Sequence, residues 1–207
     1  MSANRLAAVI ISMGMLVAGA FAQINEVSAT VGRTFVSSQT IQNANFFNHD
    51  VHFGDSISVG GNYSRLFFTH SILGLSLEVP FAFDINSELN TGANLIPKSY
   101  RAFFVAPSAR LNVFNAEAVS PWVSFGGGYA HYSMSDTLVY GGPNPGSSST
   151  NTGVIQFGIG LDVFPWHKWG FRLEARDYWT GHPDLNVDTD RSRQHNYYVG
   201  GGVIFRF

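Results

Sequence analysis

The 207-residue sequence contains no cysteine and only two lysines, Lys98 and Lys168. The lack of cysteine excludes disulfide frameworks, thiolate metal sites, cysteine nucleophiles and lipidated cysteine anchors. Charged residues make up 13% of the chain, whereas a soluble domain carries roughly a quarter. The formal net charge of -2 provides no basic surface for nucleic acid, which binds through clustered Lys and Arg. The composition therefore argues against a nucleic-acid partner and against an ordinary cytosolic enzyme.

The first 22 residues have the layout of a secretory signal peptide. Arg5 precedes an apolar run over Leu6–Val17, and an A-x-A cleavage motif ends at Ala22. Removal of this segment leaves 11 basic and 14 acidic residues, a net charge of -3. We therefore expect a signal peptide at residues 1–22 and one exported domain at residues 23–207.

Beyond that leader, no apolar run is long enough to form a membrane-spanning helix, and the hydrophobic pattern has period two. The clearest alternation covers residues 73–86, which places one residue type on each face of a strand. The apolar face holds Leu73, Leu75, Leu77, Val79, Phe81, Phe83 and Ile85, and the other face holds Gly74, Ser76, Glu78, Pro80, Ala82, Asp84 and Asn86. The same pattern predicts eight strands, at about 26–35, 56–68, 73–86, 99–113, 121–133, 154–164, 169–178 and 196–207.

The predicted connections alternate between long and short. The long connections cover about 36–55, 87–98, 134–153 and 180–195, and the short ones cover 69–72, 114–120 and 165–168. Such asymmetry is typical of outer-membrane barrels, which have short periplasmic turns and long extracellular loops. The sequence therefore predicts an all-β fold, an eight-stranded antiparallel up-and-down transmembrane β-barrel.

Period two alone does not decide which face of a barrel points outward, so a soluble periplasmic lipocalin-like binding barrel stays an alternative. The polar face favours the membrane barrel, because it carries small residues and charges of both signs that suit a filled interior. We expect an internal charge network formed by Glu78, Asp84, Arg110, Asp162, Arg172, Glu174, Arg176 and Arg206. Only Arg33 and Asp177 interrupt the apolar face.

Aromatic residues near strand ends predict interfacial girdles at the two membrane surfaces. The predicted members are Trp122, Trp169, Trp179, Tyr129, Tyr178 and Tyr197.

The chain ends on Phe207, with Phe205 two residues earlier and Gly202 three residues before that. In these residues the sequence resembles bacterial outer-membrane β-barrel proteins, whose last strand carries a terminal aromatic recognised by the barrel-assembly machinery. The segments Gly158–Val163 and Trp169–Tyr178 are similar to the penultimate hairpin of small barrels of the outer membrane protein A type.

This resemblance implies a location in the outer membrane and contact with its lipid and lipopolysaccharide. It further implies a non-enzymatic structural scaffold, without a cofactor, whose mobile loops interact with the surroundings and which has slight pore activity.

One pair of residues supports an enzymatic alternative. His131 and Ser133 lie two positions apart, so they share one strand face and could act as base and nucleophile. His131-Tyr132-Ser133 resembles the His-x-Ser of outer-membrane lipid A deacylases. The family's following Asn-Ala-Gly is replaced by Met134-Ser135-Asp136, and no Glu between Glu117 and Glu174 is available to orient the histidine.

Two further groups have the residue types of metal ligands, and we assign neither as a metal site. His49, Asp50, His52 and Asp55 fall in the first long connection. Asp184, Asn186, Asp188 and Asp190 alternate in the last one, but the Gly and the final Glu of a calcium loop are missing. Polar surface loops explain both groups.

Overall fold

The computed structural model describes residues 24–41, 50–92, 94–114, 118–189 and 192–207. The predicted signal peptide at residues 1–22 lies outside the described residues. No helix long and apolar enough to cross a membrane occurs in the described ranges.

Eleven β-strands make up the regular structure of the described residues. They are β1 (Asn25–Val36), β2 (Gln39–Thr40), β3 (Asp50–Phe53), β4 (Ser56–His70), β5 (Leu73–Asn90), β6 (Ser99–Val105), β7 (Ser108–Val113), β8 (Val119–Met134), β9 (Ser149–Val163), β10 (Trp169–Gly181) and β11 (Arg193–Arg206).

The long strands pair in an antiparallel ring, in which each strand is bonded to its neighbours in the chain. Strands β6 and β7 share one position of the ring, since both pair with β5 on one side and with β8 on the other. The ring closes where β1 pairs with β11, from Glu26 opposite Arg206 to Val36 opposite Asn196. This closure pairs both ends of the sheet and confirms the predicted eight-stranded up-and-down barrel.

The sequence did not predict the division between β6 and β7. Pro107 has no backbone N–H to contribute to the ladder, so regular pairing stops there. The backbone stays connected, because Ala106 N donates to Pro80 O at 3.1 Å and Gly127 N donates to Pro107 O at 3.2 Å. The short strands β2 and β3, which pair with each other, were also not predicted.

Three short connections lie at one end of the barrel and four long ones at the other, as predicted. Residues 71–72, 114–118 and 164–168 join strands at the turn end, where the first and last described residues also lie. We name the long connections of the loop end loop 1 (residues 37–55), loop 2 (91–98), loop 3 (135–148) and loop 4 (182–192).

The apolar face of the strands points outward and the polar face points inward. Leu173 and Val31 are each 63% exposed on the outer surface, whereas Glu78 and Ser58 are fully buried inside. A lipocalin-like barrel needs the reverse, an apolar cavity and a polar exterior. The soluble binding-barrel alternative is therefore wrong.

A β-bulge in β5 changes this alternation near the loop end. The register of β5 against β6 shifts between Asp84 and Ser87. As a result Asn86, which was predicted on the inner face, is exposed, and Ser87 and Leu89 are buried instead.

The girdle prediction was wrong for two of its six residues. Trp122 and Tyr178 are each 1% exposed and lie inside the barrel. Trp169 and Tyr129 are exposed on the outer surface, as an interfacial girdle requires.

Candidate functional site

The interior of the barrel contains a cluster of eight charged side chains. Four arginines and four carboxylates balance to a formal charge of zero, and their side chains are at most 17% exposed. We call this group the charged cluster, and its members are Glu26, Glu78, Asp162, Glu174, Arg110, Arg172, Arg176 and Arg206.

Arg172 and Arg176 hold three of the carboxylates through short hydrogen bonds. Arg172 contacts both oxygens of Asp162 at 2.7 Å, through Nε and Nη2. Arg176 donates from Nη1 to Glu78 Oε1 at 2.8 Å and from Nε to Glu174 Oε2 at 2.9 Å. The bidentate geometry fixes the planes of guanidinium and carboxylate, which makes this part of the interior rigid.

Glu26 links the remaining two arginines and was not predicted as part of the cluster. Its carboxylate accepts hydrogen bonds from Arg110 Nη2 and, at 3.0 Å and 2.8 Å, from Arg206 Nε and Nη2. The signal was present in the sequence, because Glu26 lies on the same face of the first strand as Ser28 and Thr30. Extending the polar face to the start of that strand would have identified Glu26.

Trp122 lies in the middle of the cluster, beneath three guanidinium groups. The carbons Cζ of Arg176, Arg172 and Arg110 are 4.8, 5.2 and 5.6 Å from the centre of its ring. Cation–π attraction is strongest for a desolvated tryptophan, so the indole stabilises the buried positive charge. Its place inside the barrel thus has a clear electrostatic reason.

Hydroxyl and amide groups donate further hydrogen bonds to the carboxylates of the charged cluster. Thr30 Oγ1 donates to Glu174 Oε1 at 2.9 Å, and Tyr198 Oη donates to Thr30 Oγ1 at 2.7 Å. Asn62 Nδ2 donates to Glu78 Oε2 at 2.6 Å. The buried charges are therefore both paired and hydrogen bonded, as burial in a barrel requires.

Asp84 was predicted in the charge network but does not belong to it. Its Oδ1 accepts hydrogen bonds from Thr34 Oγ1 and Ser58 Oγ, each at 2.7 Å, and no ion pair to a described residue involves it. It lies nearer the loop end, on the same strand face as Glu78 but six residues later. Alternation placed Asp84 on the correct face, but did not give its height along the barrel relative to the arginines.

Towards the loop end, the interior changes from charged to aromatic. Phe104 stacks on Tyr178 with ring centres 4.9 Å apart, and Tyr132 contacts the rings of both Phe104 and Tyr100 edge-on. All four side chains are at most 1% exposed. This layer fills the barrel between the charged cluster and the loops.

The long loops pack together over the open end of the barrel. An apolar group from loops 1, 2 and 4 and from two strands is buried there, and its members are Ile41, Val51, Leu89, Ile96 and Leu185. We call the described parts of the four loops with this apolar group the loop cap. The expectation of mobile loops does not fit this packing.

Hydrogen bonds join loops 2, 3 and 4 within the cap. Asn186 Nδ2 of loop 4 donates to Leu95 O at 3.2 Å and to Asn144 Oδ1 at 2.7 Å. Between loops 2 and 3, Tyr140 Oη donates to Thr91 O at 2.6 Å and Val139 N donates to Ile96 O at 3.1 Å. The cap is therefore a cross-linked surface and not a set of separate loops.

The residues with metal-ligand character are engaged in this framework. Ser38 Oγ bonds His52 Nδ1 at 3.0 Å, Asp55 pairs with Arg33 at 3.3 Å, and Asp184 Oδ2 accepts from Ser147 Oγ at 3.1 Å. His49 and Asp190 lie outside the described residues. Within the described ranges, no three His, Asp or Glu side chains are grouped as a metal site.

His131 and Ser133 lie where the sequence placed them, on the outer face of β8 close to the loops. Asn151 Oδ1 is 2.7 Å from His131 Nδ1 and 2.6 Å from Tyr129 Oη. Ser133 is exposed and opposite Arg101 and Ser149. Among the described residues, no hydrogen bond joins His131 to Ser133 and no carboxylate contacts His131. Asn151 orients His131, but a nucleophile also needs a hydrogen bond to that base, and the link between His131 and Ser133 is missing.

The C-terminal residues of the predicted assembly signal complete the ring. Phe207 N donates to Asn25 O at 2.9 Å, and Asn25 N donates back to Phe207 O at 3.0 Å. The Phe207 ring is 56% exposed and stacks on Phe205, which contacts Trp169 with ring centres 4.7 Å apart. Gly202 faces the interior against Thr30 of β1.

Comparison with known proteins agrees with this architecture. Residues 8–205 match the family model of the outer membrane protein beta-barrel domain. No curated protein matches the chain.

Several solved structures share the fold. The outer membrane protein OprG from Pseudomonas aeruginosa is 10% identical over 90% of this chain and 96% of its own, with a TM-score of 0.55. Neisserial surface protein A is 12% identical over 91% and 99%, with a TM-score of 0.49. The outer membrane enzyme PagL is 14% identical over 86% and 97%, with a TM-score of 0.44. At these identities the similarity to OprG shows the fold, and none of the three indicates an activity.

Proposed function

The chain belongs to the outer membrane protein β-barrel family and lies in the bacterial outer membrane, and on that premise we propose that it is a structural scaffold for surface interactions. Its barrel anchors the loop cap, and the cap contacts the surroundings of the cell. The proposal includes the absence of enzymatic activity and of a cofactor.

The observation that carries this proposal is the filled interior beneath a cross-linked cap. The charged cluster has no excess charge, and each of its four arginines is paired with a carboxylate on another strand. The aromatic layer and the apolar group of the cap fill the space above it. Such an interior supports a rigid platform, because loops on a rigid scaffold hold their side chains in fixed positions.

The scaffold is tested in cells that lack the chromosomal gene and carry the protein on a plasmid. Sensitivity to sodium dodecyl sulfate measures the structural contribution, and aggregation of the cells measures surface contact. We expect wild-type protein to restore both. Replacement of residues 141–147 at the tip of loop 3 by a Gly-Ser segment should restore detergent resistance only. A strain without the protein that behaves like wild type in both assays would contradict the proposal.

Slight pore activity is a finer part of the same proposal. The charged cluster crosses the bore, so ions pass only when contacts such as Arg176 to Glu78 separate briefly. In planar bilayers we expect rare, small openings for the wild type. Arg176→Ala, which removes a large side chain from the bore, should open more often. A large and steady wild-type conductance would contradict the filled interior.

The absence of lipid A deacylase activity is tested separately from the scaffold. We expect the acyl composition of lipid A to be the same in cells with wild-type protein, with His131→Ala or with no protein. Loss of an acyl chain that depends on both His131 and Ser133 would show an enzyme.

A further inference from the structure

A polar depression of about 340 Å³ lies on the outside of the barrel at its loop end. It is lined by the bulge of β5, the start of β6, the end of β8 and the first residues of loop 3. Four of its polar side chains are exposed, namely Asn86, Arg101, Ser133 and Asp136. A ligand from outside the barrel can therefore reach all four.

The pairing of three strands brings Asn86, Arg101 and Ser133 together. The bulge of β5 places two residues, Ile85 and Asn86, opposite the single residue Arg101 of β6. On its other side Arg101 pairs with Ser133 of β8. Bulges redirect side chains and are common beside binding sites. The guanidinium of Arg101 thus lies between a strand that contributes an amide and a strand that contributes a hydroxyl.

The depression contains one charge of each sign, and neither is neutralised by the protein. The side chains of Arg101 and Asp136 form no hydrogen bond or ion pair with each other or with any other residue of the described ranges. Asp136 follows Ser133, the partner of Arg101, by three residues, which span at most about 10 Å of extended chain. The depression therefore presents a cation and an anion at two separate points.

The depression lies outside the hydrocarbon part of the membrane. Tyr129 on β8 belongs to the predicted girdle at the loop end, and Ser133 is four residues further towards the loops. Four residues of a tilted strand rise about 10 Å along the barrel axis. Water-soluble molecules therefore have access to Arg101 and Asp136.

We propose that this depression binds a short peptide with free termini from the cell exterior. The carboxylate of the peptide accepts hydrogen bonds from the guanidinium of Arg101 and the hydroxyl of Ser133, since Arg binds carboxylates through two parallel hydrogen bonds. The terminal ammonium group pairs with Asp136. An extended peptide of three residues has about the length between these points, and the volume is at the small end of the 300–1,000 Å³ or so of ligand pockets.

The two charges favour this occupant over a lipid. An anionic headgroup would be attracted by Arg101 but repelled by Asp136, and a simple cation would meet the reverse. Tyr100 and Met134 also line the depression but are 1% and 5% exposed, so little apolar surface is available for a chain of methylene groups. The proposal goes beyond the scaffold function, because it concerns a small soluble ligand beside the cap.

The test is a titration of the full barrel in dodecyl maltoside, a detergent without charge, followed by saturation-transfer NMR. The probes are trialanine, N-acetyl-trialanine, which lacks the ammonium group, and trialanine amide, which lacks the carboxylate. We expect wild-type protein to bind trialanine about fivefold more tightly than either modified peptide, because each modification removes one accessible ion pair.

Two variants assign the two ends of the peptide. Arg101→Gln should weaken trialanine binding about fivefold and abolish the preference for trialanine over its amide. Asp136→Asn should weaken it similarly and abolish the preference over the acetylated peptide. A purely structural role of either residue would not remove the preference at one end of the peptide and preserve it at the other.

Matched controls lie elsewhere on the loop end. Arg33→Gln changes another exposed arginine, on β1, and Asp188→Asn changes an exposed aspartate of loop 4. Both should bind trialanine as wild type does, and heat-modifiability on gels verifies that each variant is folded.

Three results would overturn the proposal. They are the lack of saturable trialanine binding to wild type, equal affinity of wild type for the three peptides, and the same loss of binding in the control variants. The detergent-resistance and aggregation assays use none of these variants, so the scaffold function is tested independently.

Discussion

Arg172 and Arg33 both pair with an aspartate, but one pair is inside the barrel and the other is at its surface. The side chains of Arg172 and Asp162 are 1% and 2% exposed, whereas those of Arg33 and Asp55 are 60% and 52% exposed. Removing one partner of a buried pair leaves an uncompensated charge, whereas an exposed pair contributes little.

We therefore expect Arg172→Met to lower the free energy of unfolding by about 3–5 kcal/mol. Arg33→Met should lower it by less than about 1 kcal/mol. Urea titration of the barrel in lipid vesicles, followed by the gel shift between folded and unfolded protein, measures both. Equal losses for the two variants would mean that the charged cluster does not stabilise the barrel.

Gly160 leaves room for the indole of Trp122. A Cβ atom at Gly160 would lie 2.3 Å from Trp122 Cζ2, and the indole is held in place by the surrounding guanidinium groups. A Cβ atom added at Gly153, on the same strand, would have no other atom within 4 Å. The two glycines thus differ in surroundings although they share β9.

We predict that Gly160→Ala destabilises the barrel by about 1–3 kcal/mol through overpacking. Gly153→Ala should be neutral or slightly stabilising, since it restricts the unfolded chain and meets no atom. The same urea titration distinguishes the two. An unchanged midpoint for Gly160→Ala would show that Trp122 moves freely.

At this scale, the sequence identified seven of the eight charged-cluster residues through alternation alone. It missed Glu26 and wrongly added Asp84, because ion pairs depend on height along the barrel as well as on the face of a strand. It also placed Trp122 at a membrane interface. The attraction between an indole and three arginines arises only when β7, β8 and β10 are brought together.

The last strand both closes the ring and carries the predicted assembly signal at Phe207. Phe207 contributes two backbone hydrogen bonds to the closure of the ring, but its ring is exposed. Stability should therefore depend little on the side chain, whereas recognition during insertion should depend on it.

We expect Phe207→Ala to reduce the amount of protein in the outer membrane by about tenfold and to change the free energy of unfolding of the purified, refolded barrel, measured by urea titration, by less than about 1 kcal/mol. Phe171→Ala removes another exposed phenylalanine, on β10, and should affect neither quantity to that extent. Immunoblots of membrane fractions give the first measurement. Normal insertion of Phe207→Ala would exclude a role of this ring as the assembly signal.

Strands were predicted well because the side-chain period of two is a local property of an extended backbone. The interruptions were not predicted. The β5 bulge and the break at Pro107 change the pairing between neighbouring strands, and their effect on faces follows from register and not from composition.

At the scale of the whole molecule, the contacts within the loop cap determine how firmly the loops are held together. Asn186 holds loop 4 to loops 2 and 3 through its side chain, and its backbone has a positive φ of 66°. Glycine adopts that conformation without strain, so Asn186→Gly removes the side-chain hydrogen bonds and preserves the backbone.

Asn186→Gly should make the loops about tenfold more susceptible to proteinase K in intact cells, because two hydrogen bonds between loops are lost. Asp188→Gly, at an exposed position two residues later, serves as the control and should resemble wild type. The rate of loss of the full-length band measures the effect. Equal cleavage of wild type and Asn186→Gly would indicate that the cap opens independently of this residue.

The sequence by itself determined the eight strands and the alternation of long and short connections, since both follow from neighbours in the chain, whereas the composition of the polar face only favoured an outward apolar face. Only the tertiary structure decided which buried charges meet, that the loops pack into a cap and that Asp177 and His195 pair on neighbouring strands. The physical reason is the separation of the partners. Thr30 and Glu174 are 144 residues apart and Arg206 and Glu26 are 180 apart, and only closure of the ring brings such groups to hydrogen-bond distance.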